Sequence, residues 1–168
     1  IATLLEQYTP QIWSQGGMAT LRKWAGALPE EFIWTKPRLA LAYVSTLVDT
    51  SYLDQAERHL QQLEAIHHID QQSEPELYDE VLVLRCAIAY FRGDMATALG
   101  LVDQLEARFP QQNSHLRSFF ALNLGSIYPW RGEIEKSTYY LEEAIKSAQL
   151  AGSSYLAFLT RGQLALFQ

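Results

Sequence analysis

One cysteine, Cys86, stands in 168 residues, so no disulfide framework exists and a reducing compartment suits the chain. Glycine (9) and proline (6) are sparse, which leaves few enforced stops for a helix. No uninterrupted apolar run reaches the length of a membrane-crossing helix. No segment sustains the apolar–polar alternation of a half-buried strand. Basic residues are also short. Lys and Arg number 13 against 19 Asp and Glu, and a net charge of −6 does not suit a grip on phosphate backbone. A glycine-rich loop ending in Gly-Lys-Ser/Thr, a basic recognition helix and a nucleophile–base–oxyanion set are all missing. These gaps argue against an enzyme, a membrane protein and a nucleic-acid binder. The expectation is a cytoplasmic, non-enzymatic segment with no cofactor and no metal of its own.

What is present is helix. The chain is 48% hydrophobic and 12% aromatic, enough for a sizeable core. It begins at Ile1 and stops at Phe167-Gln168 inside an apolar pattern, without a helix stop signal, as a piece of something longer would.

Apolar residues at three- and four-residue steps predict a helix from Thr3 to Gln15, broken by Gly16-Gly17, and another from Met18 to Leu28. Pro29-Glu30-Glu31 reads as a loop or a single turn. Pro37 suits the first turn of a helix running to about Asp49. Further helices are expected from Leu53 to about His67, from Pro75 or Glu76 to Arg92, from there to Phe109, from His115 to Arg131 and from Glu133 to Leu150. Ser114 is the expected cap of one, and Ser153 or Ser154 the cap of a last helix.

The stretch Ala89 to Leu99 carries the organisation. Helical spacing runs into Arg92-Gly93-Asp94, and a second helical pattern begins at once. Glycine accepts a positive φ, and Asp94 can cap the next helix, so this is the turn of an αα-hairpin. Aligned turns fall at Ser51, Gly93 and Gly132, 42 and 39 residues apart. Seven before each come Val44, Cys86 and Gly125; five after come Ala56, Ala98 and Ser137, all small. Two helices approach closely only where both are small, so these positions predict the crossing points. Nine after come Leu60, Val102 and Leu141, which fill the space beside the crossing. Gly162 lies 37 after Gly125, so the last helix would be the first half of a further unit.

This small–large grammar resembles the tetratricopeptide repeat, although each unit is longer than its roughly 34 residues. The implied fold is all-α: a right-handed superhelix of antiparallel helix hairpins. Its parts would be a helical hairpin and connector at 1–36, repeats at 37–74, 75–113 and 114–152, and half a repeat at 153–168.

A second resemblance lies in Leu21-Arg22-Lys23-Trp24-Ala25-Gly26-Ala27-Leu28-Pro29-Glu30-Glu31, followed by Lys36-Pro37-Arg38-Leu39. A Trp, a Leu-Pro and an acidic pair ahead of a Pro-Arg-Leu resemble the opening of the repeat region in MalT-like, LuxR-type transcriptional activators. Ala42-Tyr43, Leu53-Asp54-Gln55-Ala56-Glu57 and Arg131-Gly132-Glu133-Ile134-Glu135 continue the likeness. The resemblance implies a regulator with an ATP-binding switch module and a DNA-binding helix-turn-helix, both outside this segment. It implies that the repeats sense an inducer or a regulatory protein. The alternative is a stand-alone repeat scaffold that binds a peptide or protein. Apolar faces at the ends also make self-association plausible.

The first helix of each pair would line a concave face. Two and three residues before the turns come Asp49 and Val48, Phe91 and Tyr90, Trp130 and Pro129; six before come Ser45, Ala87 and Ser126. Tyr90, Phe91, Ser126 and Trp130, with Phe167 as a further member, would suit a sugar, an aromatic inducer or a peptide. The competing reading buries these aromatics against neighbouring hairpins. His67-His68 and Asp70 read as a solvated helix end, and His59 and His115 as surface residues. Glu30-Glu31 and Glu142-Glu143 read as solvated carboxylates, and Cys86 as a small packing residue.

Overall fold

The computed structural model describes residues 17–166. Among them are nine α-helices and one 3-10 turn. They are α1 (Met18–Ala25), α2 (Glu30–Trp34), α3 (Pro37–Asp49), α4 (Leu53–His67), α5 (Pro75–Arg92), α6 (Met95–Ala107), α7 (Ser114–Ile127), the 3-10 turn Tyr128–Arg131, α8 (Ile134–Leu150) and α9 (Ser154–Leu164). The fold is all-α. The helix expected at Thr3 to Gln15, and Phe167, lie outside the described residues.

The turns are where the sequence puts them. Gly93 (φ 75°) and Gly132 (φ 78°) take the left-handed conformation, and Ser51 takes it at φ 64° with a Cβ to accommodate. Asp94 accepts from the Thr97 backbone N–H at 3.1 Å and so starts α6. The Arg92-Gly93-Asp94 tripeptide is therefore a turn and a cap.

Three local expectations need correction. Helix α1 ends at Ala25 and not at Leu28, because the chain tightens there: Ala27 N–H reaches back to Trp24 and Leu28 N–H to Ala25. Pro29 then opens a five-residue helix, α2, where a loop or turn was expected. The cap of α7 is Asn113, accepting from Leu116 N–H at 3.0 Å, one residue before Ser114.

The helix expected through to Arg131 stops as an α-helix at Ile127. Pro129 has no N–H to give the Gly125 carbonyl, and its ring crowds that turn. The backbone tightens into a 3-10 turn, and the Ser137 hydroxyl donates to the Gly125 carbonyl at 2.6 Å.

The crossing points follow the small-residue register. A Cβ on Gly125 would lie 2.7 Å from Leu141 side-chain atoms and 3.1 Å from its backbone nitrogen, so α7 and α8 meet at van der Waals limit. In the preceding pair the Cys86 thiol faces the Ala98 carbonyl, and both residues are fully buried. Val44 and Ala56 are likewise fully buried.

Pairs α3–α4, α5–α6 and α7–α8 pack internally, first helices α3, α5, α7 and α9 touch in succession, and each second helix rests on the first helix that follows. Two large apolar clusters fill this stack, one centred on α3, α4 and α5, the other on α5, α6, α7 and α8. A third cluster is of another kind. It gathers Met18 and Leu21 of α1, Leu39 of α3, Ala148 of α8, and Leu156 and Ala157 of α9, with Phe119, Leu122 and Tyr155 packed against it. Residues from both ends of the described chain thus share one core.

Candidate functional site

The first helices are joined across their shared face by side chains at matching register. Arg38 of α3 pairs with Glu76 at 2.8 Å and Glu80 at 3.3 Å, both on α5. Further along, Ser126 of α7 donates to the Leu122 carbonyl at 2.7 Å, and the Gln163 side-chain amide of α9 lies 2.9 Å from the same hydroxyl. The amide atom facing Ser126 is Gln163 Oε1, so the single hydroxyl proton is shared between two acceptors, the Leu122 carbonyl and this oxygen. Ser126 is buried and engaged in this junction.

Of the aromatic residues expected on this face, Tyr90 is half-buried against the second cluster, and its ring meets that of Phe91 edge to face at 5.5 Å. Phe91 is 57% exposed and Trp130 is 64% exposed. No ring of the described residues stacks on Trp130. The structure therefore brings Tyr90 and Phe91 together, ties Ser126 to α9, and leaves Trp130 open on the 3-10 turn.

Asp49 occupies the register position of Phe91 and Trp130 on α3, two residues before the turn. Solvent reaches its side chain, yet enough protein surrounds it that burial pushes its carboxyl up to about 6. No described residue offers it a hydrogen bond or a cation. Tyr155, at the start of α9, has its phenol pushed up by burial and by the Asp49 charge. The charge at the end of α3 is thus felt at the start of α9. Sequence reasoning set Asp49 in its register without seeing its isolation. A carboxylate at a helix C-terminus, against the dipole, was the available signal. Tyr155 gave none.

Several arginines are matched to carboxylates. Arg92 holds Asp54 at 2.8 Å, Arg117 holds Glu143 at 2.6 Å, Arg131 holds Asp103 at 2.9 Å, and Arg108 pairs with Asp79. Glu143 also accepts from Ser147, so it is a partly buried junction residue and not the solvated carboxylate expected. His59 is also no surface residue: it is half-buried, with its ring 4.8 Å from Trp34 and 5.7 Å from Tyr43. His67 Nε2 lies 2.6 Å from the Trp34 carbonyl and ties the end of α4 to α2. His115 is exposed, its ring against Phe119.

Burial pushes the Cys86 thiol up to about 12, which keeps it protonated and unreactive. Among the described residues no three His, Cys, Asp or Glu side chains converge as a metal site, and no helix is long and apolar enough to cross a membrane. The chain matches no protein-family model, no curated protein and no solved structure.

Proposed function

We propose that this chain is the effector-sensing and protein-interaction repeat segment of a bacterial transcriptional regulator of the MalT-like kind. The segment would be a short tetratricopeptide-like superhelix, cytoplasmic and without catalysis of its own. Its guest, a small inducer or a regulatory protein, would bias a distant switch module between two states through differential contact. DNA and ATP would be handled by other parts of such a regulator. The regulatory context rests on the run from Leu21 to Leu39, which forms α1, α2 and the start of α3.

The observation that carries the binding role is the exposed set Asp49, Phe91 and Trp130, two residues before each of three successive turns, the first two at the ends of α3 and α5 and the third on the 3-10 turn after α7. Large rings held on a rigid helix end offer apolar area at little entropic cost. The experiment is a thermal-shift screen of sugars, small metabolites and peptides, repeated with Phe91→Ala and Trp130→Ala. A guest bound only by the folded state raises the melting temperature. The reading expects both substitutions to weaken that response while the unliganded midpoint stays nearly unchanged. It fails if every compound that stabilises the chain acts equally on both variants.

A further inference from the structure

We propose that the outer face of α9 is a self-association surface whose occupant is the same face of a second copy of this chain, running antiparallel and crossing it at Gly162.

In the stack, α7 receives its second helix on the side of its small residue. That side, continued into the 3-10 turn, carries Ala121, Leu124, Gly125 and Tyr128, all buried, and α8 comes so close that a Cβ on Gly125 would strike Leu141. At the same register on α9 stand Phe158, Arg161, Gly162 and Ala165, and all four are exposed. A Cβ on Gly162 would meet nothing within 4 Å. Among the described residues no helix covers this side of α9, although it continues the register that α8 covers on α7.

The side is apolar as well as open. Phe158 is 74% exposed, Leu159 39% and Leu166 81%. Helix α9 ends at Leu164, but the backbone carries on in a helical turn, with Ala165 N–H reaching the Arg161 carbonyl and Leu166 N–H the Gln163 carbonyl. Leu166 therefore stays on the same face as Phe158.

The spacing points to a second copy. At about 100° per residue, Phe158 and Leu166 stand about 40° to either side of Gly162, and Leu159 and Ala165 about 60°. About a two-fold axis through Gly162, an antiparallel pair brings Phe158 level with the partner's Leu166 and Leu159 level with the partner's Ala165. Glycine meets glycine at the crossing, where the backbones can close. A two-fold interface needs a surface that matches itself, and this one does so at every apolar position. One helix face is smaller than the roughly 800 Å² per partner of a standard interface, so the dimer is weak. The two Arg161 side chains fall on the same edge of the pair, and each copy carries a net charge of −6. Both repulsions are screened by salt, so association should tighten as salt rises. Phe91 and Trp130 lie outside α9, and this surface stands or falls apart from the guest site.

Sedimentation of the full chain from micromolar to millimolar concentration reads the association. A monomer–dimer equilibrium that tightens with salt is expected, and a chain that stays monomeric at millimolar concentration overturns the inference. Gly162→Ala separates dimer from fold. The dilute monomer should melt no lower than the parent, while methyls meeting at the crossing weaken the dimer about tenfold or more. Phe158→Glu and Leu166→Lys test the register, and melting curves check that both variants fold. Each alone should weaken self-association about tenfold or more. Mixed, they should form a heterodimer tighter than either homodimer. One layer then sets the introduced carboxylate against the introduced ammonium, and the other keeps the parental Phe158–Leu166 contact. Dimers indifferent to these substitutions, or a mixture no tighter than its components, overturn the inference.

Discussion

The Ser137 hydroxyl supplies the Gly125 carbonyl with the hydrogen bond that Pro129 cannot give, at 2.6 Å and out of contact with water. One residue on α8 thereby repairs the end of α7. An unsatisfied buried carbonyl costs about 1–3 kcal/mol. Ser137→Ala is therefore expected to lower stability by about that amount, read from chemical denaturation. In a Pro129→Ala background the backbone N–H returns, and the same substitution should cost clearly less. Equal costs in the two backgrounds would break the proposed coupling.

Gly125 and Gly162 share a register, and the same substitution should have opposite effects at the two. At Gly125 a methyl would press on the Leu141 side chain and backbone, and Gly125→Ala is expected to cost about 1–3 kcal/mol. At Gly162 a Cβ meets nothing within 4 Å, so alanine should stabilise α9 by up to about 1 kcal/mol through helix propensity. Melting temperatures of the two single variants decide it.

Ser51 does the work of a turn glycine while carrying a side chain at φ 64°. Left-handed backbone costs an ordinary residue about 1–2 kcal/mol, part of which glycine returns as unfolded-chain entropy. Ser51→Gly is expected to raise stability by a few tenths to about 1 kcal/mol. A fall in the denaturation midpoint would contradict this account of the turn.

Acidic pH should stabilise this chain. Burial pushes both the Asp49 and Glu80 carboxyls up to about 6. At Glu80 that outweighs the pull of Arg38, and Glu76 and Asp79 push the same way. Such groups hold protons in the folded state that the unfolded chain has already released. Stability therefore falls as pH rises from the ordinary carboxyl range, about 4, through about 6. The melting temperature at about pH 5 should exceed that at about pH 7.5, and Asp49→Asn or Glu80→Gln should each flatten the slope. A parent midpoint that climbs across this window would refute the assignment.

The hairpins were legible because their turns and crossings depend on residues that a helix cannot use indifferently. Gly93, Gly132, Cys86 and Ala98 announce a turn or a close approach wherever they fall at the right interval. Pro129 was equally visible, but only the structure shows that Ser137 replaces its lost donor. Asn113 and Ser114 are adjacent capping types, and which one caps depends on where the incoming loop leaves the chain. The effect of Asp49 on Tyr155 was out of reach. It joins residues more than a hundred positions apart in the sequence, and periodicity within α3 says nothing about that. Glu143 and His59 were misread for the same reason, since their partners sit on other helices.

The cluster that joins Met18 and Leu21 to Leu156 and Ala157 has a consequence for how the chain comes apart. A linear stack in which each hairpin touches only its neighbours frays from its tips, and its end units exchange amide hydrogens first. Here α1 and α9 contribute to one apolar cluster, together with Leu39 of α3 and Ala148 of α8. Amides in α9 should be protected as part of the same cooperative unit as those of α1, and loosening Leu21 should speed exchange in α9 before it reaches α5. Such long-range closure also raises the mean sequence separation of contacts, and the chain pays for it with slower folding than an open row of hairpins of the same length.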